Sequence, residues 1–421
     1  MFRKTVLPNK LRILTAPMKG TNTVTVLVLC GTGSDNEREA ERGISHFLEH
    51  MFFKGTKKRP SVEVVSRELT SKGSMSNAFT GHEYTGYFIK AGRVHFDWAI
   101  EFLADIYTNA LLKPADINRE RQVIIEEMHM RADTPESFIW EIYESLAYGN
   151  QVAGRSILGT EAQIRGFKPQ QFRAYFANQY AAGNTVVIIA GNVDEGHAIT
   201  KVRQLFGKIR VSKTRILPAF RNLQKTPQLK IHEKKTDQSH LVIGFHGFAA
   251  DHKDRFAADL LGAILGGNLS SRMWLAIREK LGVAYNIASS HDSYSNRGML
   301  VTYAGIAHTN VEKAMQAILA EYRRIITLPV TRDELTRVKD YLKGTMLIGL
   351  ESSSAVANFV GIEEVLTGKP LTVDEVFKKI DALTPADITQ AASAIIRPER
   401  MNMALIGPFK DDRKFAKLLK L

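Results

Sequence analysis

Two segments of this chain close in the same way, and that likeness limits the fold more than any other feature. Pro169 opens a helix leading to Asn184-Thr-Val-Val-Ile-Ile-Ala-Gly191, and Pro385 opens one leading to Asn402-Met-Ala-Leu-Ile-Gly407. The spacing from proline to asparagine is 15 in one copy and 17 in the other. Proline suits the first turn of a helix, and a short apolar run ended by glycine reads as a buried strand. What precedes each ending is also loosely alike. The first half has strand patterns at 11–16, 23–30, 74–80 and 83–90, with helices at 61–72, 94–111, 115–131 and 136–147. The second has a strand at 240–245, helices at 253–265 and 271–280, extended runs through 284–304, then long helices from Asn310 onward. A chain of 421 residues is also too long for one ordinary core. The expectation is α+β: two homologous α/β-sandwich domains, mainly antiparallel sheets with helices, closing as a clamshell. Their bounds are expected at 1–210 and 229–421, joined by a basic linker at 211–228.

Only one copy carries an unusual helix. Between Gly43 and Gly55, the apolar residues Ile44, Phe47, Leu48, Met51 and Phe52 recur on one face. At about 100° per residue, His46, Glu49 and His50 fall on the opposite face, with Phe53, which predicts that they point away from the core. Imidazoles four apart can share one zinc ion, and a carboxylate beside them can take a proton from the attacking water. A solvated face that happens to carry two histidines is the plain alternative.

A third ligand must come from elsewhere. In the run from Lys113 to Met128, Glu120 and Glu127 share an inward stripe with Ile117, Ile124 and Met128, whereas Glu126 turns toward solvent. Two carboxylates on an inward column need a cation. A metal is one answer; neutralisation by Arg121 or Arg131 is another.

Taken together, His46-x-x-Glu49-His50, a gap of 76 residues, and Arg119-Glu120-Arg121-x-Val-Ile-x-x-Glu127-Met128 resemble the pitrilysin (inverzincin) family of zinc metallopeptidases. The chain looks most like the two-domain, half-size branch with bacterial homologues of the mitochondrial processing peptidase β subunit. That resemblance implies one Zn2+ per chain on His46, His50 and Glu127, with Glu49 as the acid–base group and Glu120 bracing a ligand. It further implies that an edge strand containing Gly73-x-x-x-Asn77-Ala78-Phe79-Thr80 pairs with extended peptide. Arg278 and Tyr285, in Arg278-Glu-Lys-Leu-Gly-Val-Ala-Tyr285, are the expected substrate contacts of the second domain, Tyr285 toward the carbonyl oxygen. Read without the resemblance, Asn77 is a turn residue, Arg278 a cation at a helix C-terminus and Tyr285 a strand aromatic. His82, His240, His246 and His291 have no usable partner spacing and are expected to be structural. The function implied is endopeptidase cleavage of extended or unfolded peptides within an enclosed chamber formed by a homodimer, or by pairing with an inactive homologue. A non-catalytic scaffold or partner subunit of the same family is the alternative.

The net charge of +13 raises nucleic acid as a partner, so its distribution matters. Between Lys201 and Lys235, eleven basic residues face the single Glu233, and Pro218 and Pro227 punctuate the stretch. That is the composition of a solvated connector, and no recognition motif accompanies it. No nucleic acid and no membrane are expected as partners. There is no apolar run of bilayer length, no signal-peptide pattern at the first residues, and one cysteine, Cys30, which has no internal disulfide partner. Cytoplasmic location is the expectation.

Overall fold

Thr185–Gly191 and Met401–Gly407, the apolar runs that end the two halves, are each wholly buried inner strands. In the computed structural model, which describes residues 2–421, each belongs to its own mixed sheet.

The first sheet comprises β1 (Arg3–Val6), β2 (Arg12–Pro17), β3 (Thr23–Cys30), β4 (Met75–Thr80), β5 (Thr85–Gly92) and β6 (Thr185–Gly191), in the order β1-β2-β6-β3-β5-β4. The second comprises β7 (Gln228–Glu233), β8 (Ser239–Gly247), β9 (Ala284–Ser293), β10 (Gly298–Ile306) and β11 (Met401–Gly407), in the order β7-β11-β8-β10-β9. In each, one pair is parallel, β2 with β6 and β7 with β11, and the remaining ladders are antiparallel. Apart from β1, which the sequence pattern did not reveal, the strand orders correspond one to one. The duplication is therefore visible in topology.

The chain packs into two compact units that do not follow chain order. One comprises Met1–Met128, Arg155–Pro218 and Leu347–Val373; the other His129–Gly154, Ala219–Met346 and Asp374–Leu421. A division near residues 210 and 229 would place two helices by sequence position, whereas packing places each with the other half's sheet. Ser353–Thr367 lies on the first sheet, where Ala357 and Val360 join Leu14, Leu27, Leu29, Val186 and Ile188 in one apolar cluster. Its approach is close. A Cβ on Gly361 would stand 2.9 Å from Leu29 Cδ1 and 3.0 Å from Ile188 Cδ1, so those side-chain tips would have to shift to admit one. Its fully buried Glu364 receives Lys4 Nζ at 2.7 Å and Arg12 Nη1 at 3.2 Å, which fastens the outer strands. Likewise Pro135–Tyr148 lies on the second sheet, with Ile139 and Tyr143 against Val242, Val301, Ala404 and Ile406.

The basic connector is less solvated than its composition predicts. No regular element lies between Phe206 and Gln228, yet each end is stitched to its own unit. Arg215 pairs with Glu41, donates to the Asn36 carbonyl at 3.0 Å, and sits 5.5 Å over the Tyr175 ring. Further on, Gln224 Nε2 donates to the Met401 carbonyl and Gln224 Oε1 accepts from Asn402 Nδ2, both at 3.0 Å.

Candidate metal centre

The histidine helix runs over Ile44–Phe52 and belongs to the first unit. Ile44, Phe47, Leu48, Met51 and Phe52 are fully buried on its inner face. Phe52 stacks on Tyr87 with centroids 4.7 Å apart, and Phe47 meets Phe172 edge-on at 4.7 Å. At about 1.5–3 kcal/mol for each large apolar side chain buried, this face anchors the helix firmly. The outer face corrects the expectation of a face turned from the core. His46 is only 6% exposed and His50 and Glu49 are half-buried.

The helix Pro114–Asp133 supplies the covering carboxylates. Glu127 Oε1 lies 3.5 Å from His46 Nε2, and Glu127 Oε2 lies 3.6 Å from His50 Nε2. Ligand atoms of His46, His50 and Glu127 all fall within 4.8 Å of one another. Donors placed tetrahedrally at the usual zinc distances stand about 3.3 Å apart, close to the two Glu127–histidine separations, whereas the full 4.8 Å span of the group is wider and would have to contract around an ion. Two imidazole nitrogens and one carboxylate are also a donor set that suits zinc. Those three residues could hold such an ion.

Glu120 acts on the other side of His50. Its Oε1 accepts from His50 Nδ1 at 2.9 Å, which leaves Nε2 as the lone-pair nitrogen facing Glu127. Its Oε2 meets Lys54 Nζ at 2.6 Å. Burial lowers the proton affinity of His50, but Glu120, Glu49 and Glu127 outweigh it and raise the pKa above the ordinary imidazole value. Burial also pushes Glu120 up, and His50 and Lys54 outweigh that, so its carboxyl is held below the usual range. His46 differs: its buried Nδ1 has no hydrogen-bond partner among the described residues, so no side chain like Glu120 orients it.

The arginine alternative for Glu120 does not hold. Arg121 binds the carbonyls of Ile164, Arg165 and Phe167. The cation beside Glu120 is Lys54, overlooked in the sequence although it follows His50 by four and so repeats the helical interval. Thr80, which the sequence placed only in the edge-strand segment, also touches the site. Its hydroxyl donates to Glu49 Oε2 at 2.5 Å, and among the described residues the other carboxylate oxygen, Oε1, accepts no hydrogen bond.

Thr80 ends β4, the edge strand that pairs with β5. Asn77, exposed on that strand, does more than make a turn: its Oδ1 accepts from the Ala78 amide at 2.9 Å. Ala78 packs partly against the core. The remaining expected contacts lie in the second unit. Arg278 sits on a π-helical turn, Trp274–Lys280, where an ordinary α-helix was expected. Its guanidinium lies 4.1 Å over Trp274 and 5.9 Å over Tyr285, which is 75% exposed and so is not a buried strand aromatic. The four histidines expected to be structural have local partners or surroundings. His82 bonds Ser34, His240 bonds Tyr303, His291 bonds Asp259, and His246 lies between Tyr148 and Phe220.

Comparison with known proteins points the same way. Residues 12–161 match the family model described as insulinase (peptidase family M16), and residues 166–342 match the one described as peptidase M16 inactive domain. An uncharacterized zinc protease of Streptomyces coelicolor is 30% identical over 97% of this chain and 90% of its own length. YmxG, an uncharacterized zinc protease of Bacillus subtilis, is 31% identical over 97% of this chain and 98% of its own. A protease from Helicobacter pylori has the same fold, with a TM-score of 0.89 at 22% identity, covering 97% of this chain and 99% of that one. A chain in complex III2 from Candida albicans also shares it, with a TM-score of 0.85 at 18% identity and complete coverage of both.

Proposed function

This chain belongs to the M16 (insulinase) peptidase family, and from that premise we propose that it is a zinc-dependent endopeptidase acting on extended peptides. The observation that carries the reading is the convergence of His46, His50 and Glu127 beside an acid–base carboxylate, Glu49. Sites that have lost such a set could keep the fold but not the chemistry.

A zinc ion on those three residues would supply Lewis acidity toward water and the peptide carbonyl. The protein's own groups do the rest. Glu49, with Oε2 held by Thr80, takes a proton from the attacking water as the water oxygen bonds to the carbonyl carbon. That proton then passes to the amine nitrogen as the C–N bond breaks, which leaves a carboxylate and an amine. Glu120 keeps the His50 ring in one tautomer throughout.

Substrate selection follows from β4. As an edge strand it can take an extended peptide as a further strand, reading mainly the peptide backbone. The Ala78 amide, now satisfied by its neighbour's Asn77 side chain, is a donor that a peptide carbonyl could use instead. We assign Arg278 and Tyr285 to further contacts with the peptide backbone.

The test is Glu49→Gln. The variant should bind one zinc per chain, measured by metal analysis, while cleavage of a quenched fluorescent peptide falls by about 100-fold or more. Unchanged cleavage would overturn the role of Glu49, and a wild-type chain that binds no zinc would overturn the reading itself.

A further inference from the structure

We infer that Thr80 is a positioning residue: its hydroxyl, at the end of the edge strand, aims the carboxylate of Glu49. This inference rests on the peptidase reading and adds a coupling to it, because one strand would then both seat the peptide and set the base.

Three observations carry it. The first is the hydrogen bond itself. Thr80 Oγ1 gives its only proton to Glu49 Oε2, and among the described residues neither the Glu49 carboxylate nor the Thr80 hydroxyl has another hydrogen bond. A half-buried glutamate has three side-chain torsions to settle, and here a single donor settles them.

The second is that Thr80 is rigidly held. It ends the β4–β5 ladder opposite Thr85, whose own hydroxyl donates to the Thr32 carbonyl at 2.8 Å. The turn beyond is closed by Gly81 N–H on the Tyr84 carbonyl at 2.8 Å, and Asp35 N–H binds the His82 carbonyl at 2.8 Å. Phe79 lies against Gly86, where an added Cβ would come within 2.3 Å of its ring, so the pairing cannot slip without a clash.

The third is the alternation of the strand. Ala78 and Thr80 are two apart and so share one face of β4. The residue whose amide is offered to a peptide and the residue that holds the base are therefore fixed to one another by backbone geometry. A bond serving only to tie the helix to the sheet would be redundant, since five fully buried side chains already anchor that helix.

Thr80→Val keeps the shape and removes the donor; Thr80→Ser keeps the donor. With zinc-loaded protein, Thr80→Val should leave zinc content and melting temperature unchanged and KM unchanged, while kcat falls about 10- to 100-fold. Thr80→Ser should retain most of the wild-type kcat. The inference is overturned if Thr80→Val turns over like wild type, if its loss of kcat tracks loss of zinc, or if Thr80→Ser is equally impaired. A zinc-loaded wild type that cleaves no peptide overturns the peptidase reading and this inference together, whereas a normal Thr80→Val beside an active wild type overturns this inference alone.

Discussion

His50 is gripped from both sides of its ring, by Glu120 on Nδ1 and across from Glu127 on Nε2. Partners of this kind orient a ligand and are worth about 10- to 100-fold in metal affinity. Glu120→Gln should therefore weaken zinc binding by about that factor, measured by competition with a chromogenic chelator, while leaving the three ligands in place. The same contact sets a pH dependence. Because His50 has a raised pKa, protons compete with zinc at a higher pH than for a free imidazole, and affinity should decline as the pH falls through that raised range. Removing the Glu120 charge should move the decline to lower pH.

The histidine helix starts without a capping side chain of its own. Gly43 stands at its N-cap with φ 89°, a conformation glycine tolerates, and a Cβ there would lie 2.5 Å from the Leu158 carbonyl oxygen. The cap comes from Glu37 instead. Its Oε2 accepts from Gly43 N and its Oε1 from Ser45 N, both at 2.8 Å and fully enclosed. The arrangement does the work of a capping box from six residues upstream, satisfying two amides of the first turn. Glu37→Ala would strand two buried amides, so it should cost about 2 to 3 kcal/mol in chemical denaturation. It should also loosen zinc binding, since His46 lies on the first turn.

At the scale of the whole molecule, acid stability should depend on a residue outside the metal centre. His246 of β8 is 7% exposed, and burial, with the charge of Arg400 adding to it, pushes its pKa down to about 4. An unfolded chain takes up that proton near pH 6.5. Between pH 6.5 and 4 the unfolded state therefore binds more protons than the folded one, and stability is lost as the pH falls through that window, by up to about 3 kcal/mol. His246→Phe keeps a ring between Tyr148 and Phe220 and removes the titration. Its stability profile should be flatter over that range, as followed by urea denaturation at several pH values.

What the sequence by itself determined was whatever depends on intervals along one element. Apolar residues at helical spacing fixed which face of Ile44–Phe52 is buried, and the same arithmetic put Glu120 and Glu127 on one column with Glu126 turned outward. The two proline-to-asparagine endings disclosed a pair of sheets whose shared strand order the structure then displayed. Tertiary structure alone decided the rest: Lys54 as the cation on Glu120, Thr80 on Glu49, Glu37 as the distant cap, and the helices Pro135–Tyr148 and Ser353–Thr367 lying on the sheets opposite to their place in the chain. Periodicity says which side of an element is covered and never by what. Choosing the partner requires knowing where segments separate in the chain come to rest, and that is settled by packing and the satisfaction of buried polar groups over the entire fold.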